Sequence, residues 1–199
     1  KRFGVEEIAD LLTELMIKQL SYNKFCIQGG DWGAMVGSRI SYRYPENIIG
    51  LHLNMLALRR EYSNKHIFSP EEQDYIDQVQ IWKSEGMGYQ AIQGSRPQTL
   101  AYALSDSPAG LAAWICEKFY EWTDCKGVPE NSVSFDKMLA NICLYWFSGA
   151  IGSSFWPYYA RNHRPWFIPE GETISVPVGY AEFPKEMLRP KKLLAEKTY

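Results

Sequence analysis

The sequence lacks a basic surplus: 21 Lys and Arg stand against 23 Asp and Glu, a net charge of −2. With nothing to displace counterions from phosphates, no nucleic-acid partner is expected. No apolar run approaches the ~20 residues of a membrane-crossing helix, and no signal peptide is visible. Cysteine is sparse, with 4 residues, and Cys26, Cys116, Cys125 and Cys143 form no CxxC pair. A zinc site is therefore not expected, and no metal or cofactor is assigned. Cys26, Cys116 and Cys143 lie in apolar stretches, so free buried thiols in a reducing compartment are expected. Only 3 histidines occur, His52, His66 and His163. There is no internal repeat and no low-complexity segment. No Met opens the chain at Lys1-Arg2-Phe3-Gly4. It reads as an internal fragment, with an anchor or address upstream left open.

What is present suits a globular fold. The 199 residues are 46% hydrophobic and 22% charged, enough for a real core. Aromatic content is 15%, with 7 Trp and 13 Tyr, which serves an aromatic pocket or an aromatic core equally.

The organising stretch is Gln28-Gly29-Gly30-Asp31-Trp32-Gly33. An apolar run, Phe25-Cys26-Ile27, precedes it, and a helix-compatible run, Ala34 to Ile40, follows. Strand, sharp turn and helix around Gly-x-Asp-x-Gly match a nucleophile elbow with Asp31 where serine is commoner. Gly29 and Gly33, lacking Cβ atoms, are expected to let strand and helix approach closely. A carboxylate needs no base to remove a proton. It attacks carbon directly and leaves an ester on the protein. The competing reading is a Gly-rich turn with Asp31 as an ordinary helix cap.

Along the chain, Val5, Ile8, Leu12, Leu15, Met16 and Leu20 predict an amphipathic helix over 5–20. Strand 25–28, a helix to about Tyr44 stopped by Pro45, and strand 48–54 follow, the grammar of a parallel α/β sheet. From about 60 to 168 no strand is evident. Ser69-Pro70-Glu71-Glu72, Ser107-Pro108 and Ser134 open helices. Leu111, Trp114, Ile115 and Phe119 share one face. Met138, Leu139, Ile142, Tyr145 and Trp146 are predicted inward. Pro157 should kink or delay the last helix, near 148–162. Ile174 to Gly179 returns to strand, with Pro177 at an end or edge. The tail from Pro184 to Tyr199 is basic and amphipathic, with its charges expected on a solvated helix face. The expected division is 1–59 for a first core segment with the elbow, 60–168 for a helical cap, and 169–199 for a return to the core.

Longer strings narrow the reading. They are Gln28 to Gly33, Gly50-Leu-His-Leu-Asn-Met55, Pro97 to Trp114, Leu144-Tyr-Trp146 and Phe183-Pro-Lys-Glu186. In order and spacing they resemble the microsomal-type epoxide hydrolases of the α/β-hydrolase superfamily. That branch includes juvenile-hormone epoxide hydrolases and soluble microbial and fungal relatives. The resemblance implies an α/β-hydrolase fold, here a partial parallel sheet with an inserted all-helical cap. It implies hydrolysis of a small apolar epoxide to a vicinal diol, without cofactor, and a place in detoxification, xenobiotic metabolism or aromatic hydrocarbon catabolism. Asp31 resembles the nucleophile. Tyr89 and Tyr158 resemble the cap tyrosines that protonate the epoxide oxygen, and Glu186 the acid that orients a histidine base. The Trp32 N–H would be half of an oxyanion hole.

The family's base, in a Gly-Gly-His segment, is expected beyond Tyr199, and its His-Gly-x-Pro segment before Lys1. His52 reads as structural, and His66 and His163 as exposed flanks of the cap. Turnover by this stretch alone is therefore not expected. Tyr159 rivals Tyr158, and Glu182 rivals Glu186. Phe147, Phe155 and Trp156 either line a pocket or pack the cap. A haloalkane dehalogenase is the alternative enzyme. It leaves both tyrosines unexplained, because a halide needs no proton. A non-catalytic binding protein on the same scaffold is the third reading. The implied partners are epoxide and water, with a homodimer allowed. A cytoplasmic site is expected, or the endoplasmic reticulum membrane if an anchor precedes the chain.

Overall fold

The computed structural model describes residues 3–56, 58 and 60–199. The expected boundary at 59 falls on a residue outside that set. The chain divides into two compact units, one running up to Gly88 and resuming at His163, the other spanning Tyr89–Asn162.

The first unit is built on a parallel sheet. Helix α1 (Val5–Glu14) leads to strand β1 (Phe25–Gly29), helix α2 (Trp32–Arg43) and strand β2 (Ile48–Leu53). Strand β3 (Val178–Tyr180) completes the sheet, in the order β1-β2-β3, with both pairings parallel. Parallel neighbours need a crossover, and α2 supplies it between β1 and β2. The buried residues of α2 mix small ones, Ala34, Gly37, Ser38 and Ser41, with Met35, Val36 and Ile40. A Cβ on Gly37 would stand 2.9 Å from Ile27 Cγ2 and 3.1 Å from Leu51 Cδ1. Ala34, Val36, Ile40, Ile48, Leu51, Leu53, Ile168, Ile174 and Val176 form the core.

Three expectations change here. The 5–20 helix is α-helical only to Glu14, and Leu15–Gln19 is a π-turn closed by the Leu20 N–H on the Leu15 carbonyl at 2.9 Å. Of 174–179, only Val178 and Gly179 lie in β3. Pro177 has no N–H to give, but its carbonyl accepts from Leu51 N–H at 2.9 Å. The tail is mostly turn and loop, with one short helix, α10 (Lys192–Ala195). Its lysines and Arg189 are exposed, as expected, while its other side is pinned to the core. Leu194 and Thr198 are buried, and Ile174 N–H donates to the Thr198 carbonyl at 2.9 Å.

Helix α3 (Pro70–Gly86) belongs to the same unit and begins with the expected capping box, Ser69 and Glu72 bonding each other's backbone N–H groups. Glu72 is buried and also meets Lys197 at 2.9 Å and His66 at 3.2 Å. His66 is therefore half-buried, clustered with the rings of Tyr62 and Phe68, and not an exposed flank. His163 is exposed, and His52 is exposed in the middle of β2.

The second unit is helical: most of α4 (Gly88–Ser95), then α5 (Pro97–Asp106), α6 (Pro108–Trp122), α7 (Phe135–Ser148), α8 (Ile151–Ser154) and most of α9 (Trp156–His163). Leu104, Leu111, Ile142, Ile151 and Phe155 form its core. Phe155 is thus packing, whereas Phe147 and Trp156 are exposed. Leu139, expected inward, is exposed. Pro157 acts as anticipated, since the segment breaks at Phe155 and restarts with Pro157 in the first turn of α9. Within 60–168 the described residues hold no strand, only a single bridge between Arg60 and Ile168. All four cysteines are free, but only Cys125 is buried. Cys26 is exposed on β1, and Cys116 and Cys143 are half-buried. No helix among the described residues is long and apolar enough to cross a membrane.

Candidate active site

Asp31 joins β1 to α2 with φ 48° and ψ −122°, a left-handed backbone that a residue with a Cβ rarely adopts. Its side chain is exposed and does not cap α2 through a side-chain hydrogen bond. The reading as an ordinary cap is thereby set aside. The neighbouring backbone holds the conformation. Ala34 N–H reaches the Asp31 carbonyl at 3.0 Å, and Asn54 N–H donates to the Gly29 carbonyl at 3.3 Å.

The glycines divide the work unequally. A Cβ on Gly29 would sit 2.3 Å from the Gly33 carbonyl oxygen. A Cβ on Gly33 would meet nothing within 4 Å, so the expected need for glycine there fails. The close approach belongs to Gly29 and, one turn into the helix, to Gly37. At Gly30 a Cβ would stand 2.1 Å from Asn54 Oδ1, the end of a side chain that would have to move. That oxygen is buried with no hydrogen-bond partner among the described residues. Asn54, at the end of β2, thus lies directly against the turn. Trp32 is half-buried at the first position of α2, where helix N–H groups point away from the helix.

Glu186 lies on a turn after β3, half-buried. Its carboxylate accepts from Met187 N–H at 2.9 Å, and its own N–H donates to the Phe183 carbonyl. Trp82 Nε1 of α3 donates to Met187 Sδ at 3.0 Å and fixes the same turn. Glu182 is exposed and faces Arg189 at 3.8 Å. Burial, then the charges of Glu182 and Glu186, push the Tyr180 phenol up.

In the helical unit, Tyr89 of α4 and Tyr158 of α9 meet edge to face, with ring centroids 5.8 Å apart at 78°. Gly94 explains how two helices bring them together. A Cβ there would press on Asn162 Cβ at 3.3 Å and the Tyr158 carbonyl at 3.4 Å, and Asn162 Nδ2 donates to the Gly94 carbonyl. On the other side, buried Gln93 accepts from Trp114 Nε1 at 3.3 Å, tying α4 to α6. Trp122 meets Tyr89 edge to face at 5.3 Å, and Lys118 Nζ stands 5.0 Å from the Tyr89 centroid. Neither Asn54, Lys118 nor Trp122 was anticipated. The i,i+4 spacing of Lys118 and Trp122 puts them on one helix face, but which ring they would meet is not a local property. Among the described residues no three His, Cys, Asp or Glu are grouped to hold a metal ion.

No family model matches the chain. A relative from Stigmatella aurantiaca (strain DW4/3-1), placed by its name among the epoxide hydrolases, is 42% identical over 202 residues, 100% of this chain and 44% of its own. Epoxide hydrolase 1 of Oryctolagus cuniculus is 35% identical, covering 99% of this chain and 48% of its own length. The crystal structure of juvenile hormone epoxide hydrolase from the silkworm Bombyx mori matches with a TM-score of 0.75 at 29% identity, over 99% of this chain and 46% of that one. The chain spans about half the length of the relatives it matches. With full coverage by epoxide hydrolases in both sequence and structure, it belongs to that family and carries the α/β-hydrolase fold.

Proposed function

We propose that the protein carrying this chain hydrolyses an apolar epoxide to a vicinal diol through a covalent ester on Asp31. The observation that carries the reading is Asp31 itself, an exposed carboxylate held at φ 48° by the turn around it. The carboxylate attacks one epoxide carbon, and the carbon–oxygen bond at that carbon breaks. The released oxygen takes a proton from the phenol of Tyr89 or Tyr158, leaving a phenolate. Water then attacks the ester carbonyl, with Trp32 N–H stabilising the oxyanion. Cleavage frees the diol and restores the Asp31 carboxylate, and the proton taken from water returns to the phenolate through the base. Epoxide and water are consumed, and only diol is formed.

Glu186 is assigned to orient a histidine base. The Tyr89–Tyr158 ring pair supports Tyr158 over Tyr159 as the second donor. A departing halide needs no proton, so the pair disfavours dehalogenation. An apolar epoxide is the kind of compound met in detoxification and aromatic hydrocarbon catabolism. The test is the rate of ester formation in Tyr89→Phe, Tyr158→Phe and the double variant, read by intact mass after rapid quenching. Each single change should slow it by about 10-fold or more, and the double change by far more. Normal rates in all three would remove the phenols from the mechanism.

A further inference from the structure

Tyr89 has a cation at its face. Lys118 Nζ lies 5.0 Å from the Tyr89 centroid and 5.4 Å from that of Trp122. The ammonium does not wander, because it pairs with Glu117 and, at 3.0 Å, with Glu121. The Lys118 side chain is 16% exposed, against 52% for Glu117 and 40% for Glu121. Water therefore screens the two carboxylates more than it screens the ammonium. Burial pulls the Lys118 amine down, but the two carboxylates outweigh it and raise it, so the charge is present throughout the working range.

When a phenol gives up its proton to an opening epoxide, negative charge appears on the phenol oxygen and spreads into the ring. A fixed cation over the ring face stabilises that charge more than it stabilises the neutral phenol. We infer that Lys118 is a positioning residue for Tyr89: with Trp122 it holds the ring, and its charge stabilises the Tyr89 phenolate left by proton transfer. The inference rests on the proposed role of the tyrosines.

Lys118 and Trp122 on α6 and Tyr158 on α9 lie against Tyr89, and Glu117 and Glu121 pair with Lys118. The test uses two backgrounds in the protein carrying this chain, with styrene oxide as probe and ester formation followed by intact mass. In Tyr158→Phe, where Tyr89 is the sole donor, Lys118→Met should slow ester formation by about 3- to 30-fold. It should also move the alkaline fall-off of that rate to higher pH, and Lys118→Arg should restore both. In Tyr89→Phe, Lys118→Met should change neither. Equal slowing in the two backgrounds would make Lys118 merely structural and overturn the inference. So would no effect in either while Tyr89→Phe itself slows the reaction. If neither tyrosine variant slows it, the underlying reading has failed instead.

Discussion

The two glycines that frame Asp31 look equivalent in the motif and are not equivalent in space, so the same substitution should have opposite outcomes. In Gly29→Ala the new Cβ would lie 2.3 Å from the Gly33 carbonyl oxygen and 2.6 Å from its carbon, where ordinary contact begins at 3.4 Å. The turn must open by roughly 1 Å, and the obstacle is backbone, not the movable end of a side chain. Overpacking of this kind costs about 1–3 kcal/mol, and a backbone clash belongs at the upper end. In Gly33→Ala the Cβ meets nothing within 4 Å, and the position is helical. Replacing a helical glycine gains about 0.5–1 kcal/mol. At about 2–4 °C per kcal/mol for this size, Gly29→Ala should melt ~6–10 °C lower and Gly33→Ala slightly higher. Thermal unfolding followed by circular dichroism reads both. Equal destabilisation, or a greater loss in Gly33→Ala, would refute the geometry assigned to the turn.

Two further outcomes follow from the site and its supports. Burial raises the Glu72 carboxyl, but Ser69 N–H, Lys197 and His66 outweigh it and bring it from its ordinary 4.5 to about 2. Its stabilisation is present above about pH 4.5 and is lost as pH falls towards 2, an effect of about 1–3 kcal/mol. Urea unfolding midpoints across that range should fall less steeply in Glu72→Gln. An unchanged slope would mean that the cluster does not hold the carboxylate charged. Glu186→Gln should let the Asp31 ester accumulate, with its hydrolysis slowed about 100-fold. Glu182→Gln, losing only an exposed pair with Arg189, should leave that rate within about 2-fold. The reverse pattern would transfer the role to Glu182.

The elbow, the flanking strands and the helix starts at Ser69, Ser107 and Ser134 are legible because each is written locally, in an apolar run, a glycine, a Ser-Pro pair or a capping serine. What was not legible depends on partners distant in the chain. That Gly29 and not Gly33 makes the close approach is decided by which way each missing Cβ would point. His66 is a local exception, since Glu72 and the rings of Tyr62 and Phe68 collect around it from neighbouring positions in the chain. The side of the tail that faces the core finds partners far off in the chain, Ile174 for Thr198 and Ser38 for Tyr199. The cysteines misled for a related reason. Apolar neighbours in sequence alternate faces along a strand, so Cys26 faces outward from β1 while Gly29 is buried. The tyrosine pair came from resemblance. Its physical cause, the close packing of Gly94 against Asn162 and the Tyr158 carbonyl, lies in no single stretch.

The most direct measurement is to trap the first intermediate. The protein is mixed with styrene oxide, quenched within the first turnover, digested and mapped by mass. The account expects one adduct of the probe's mass, on the carboxylate of Asp31, and none in Asp31→Asn. An adduct on another residue, or undiminished labelling of the Asp31→Asn protein, would contradict it.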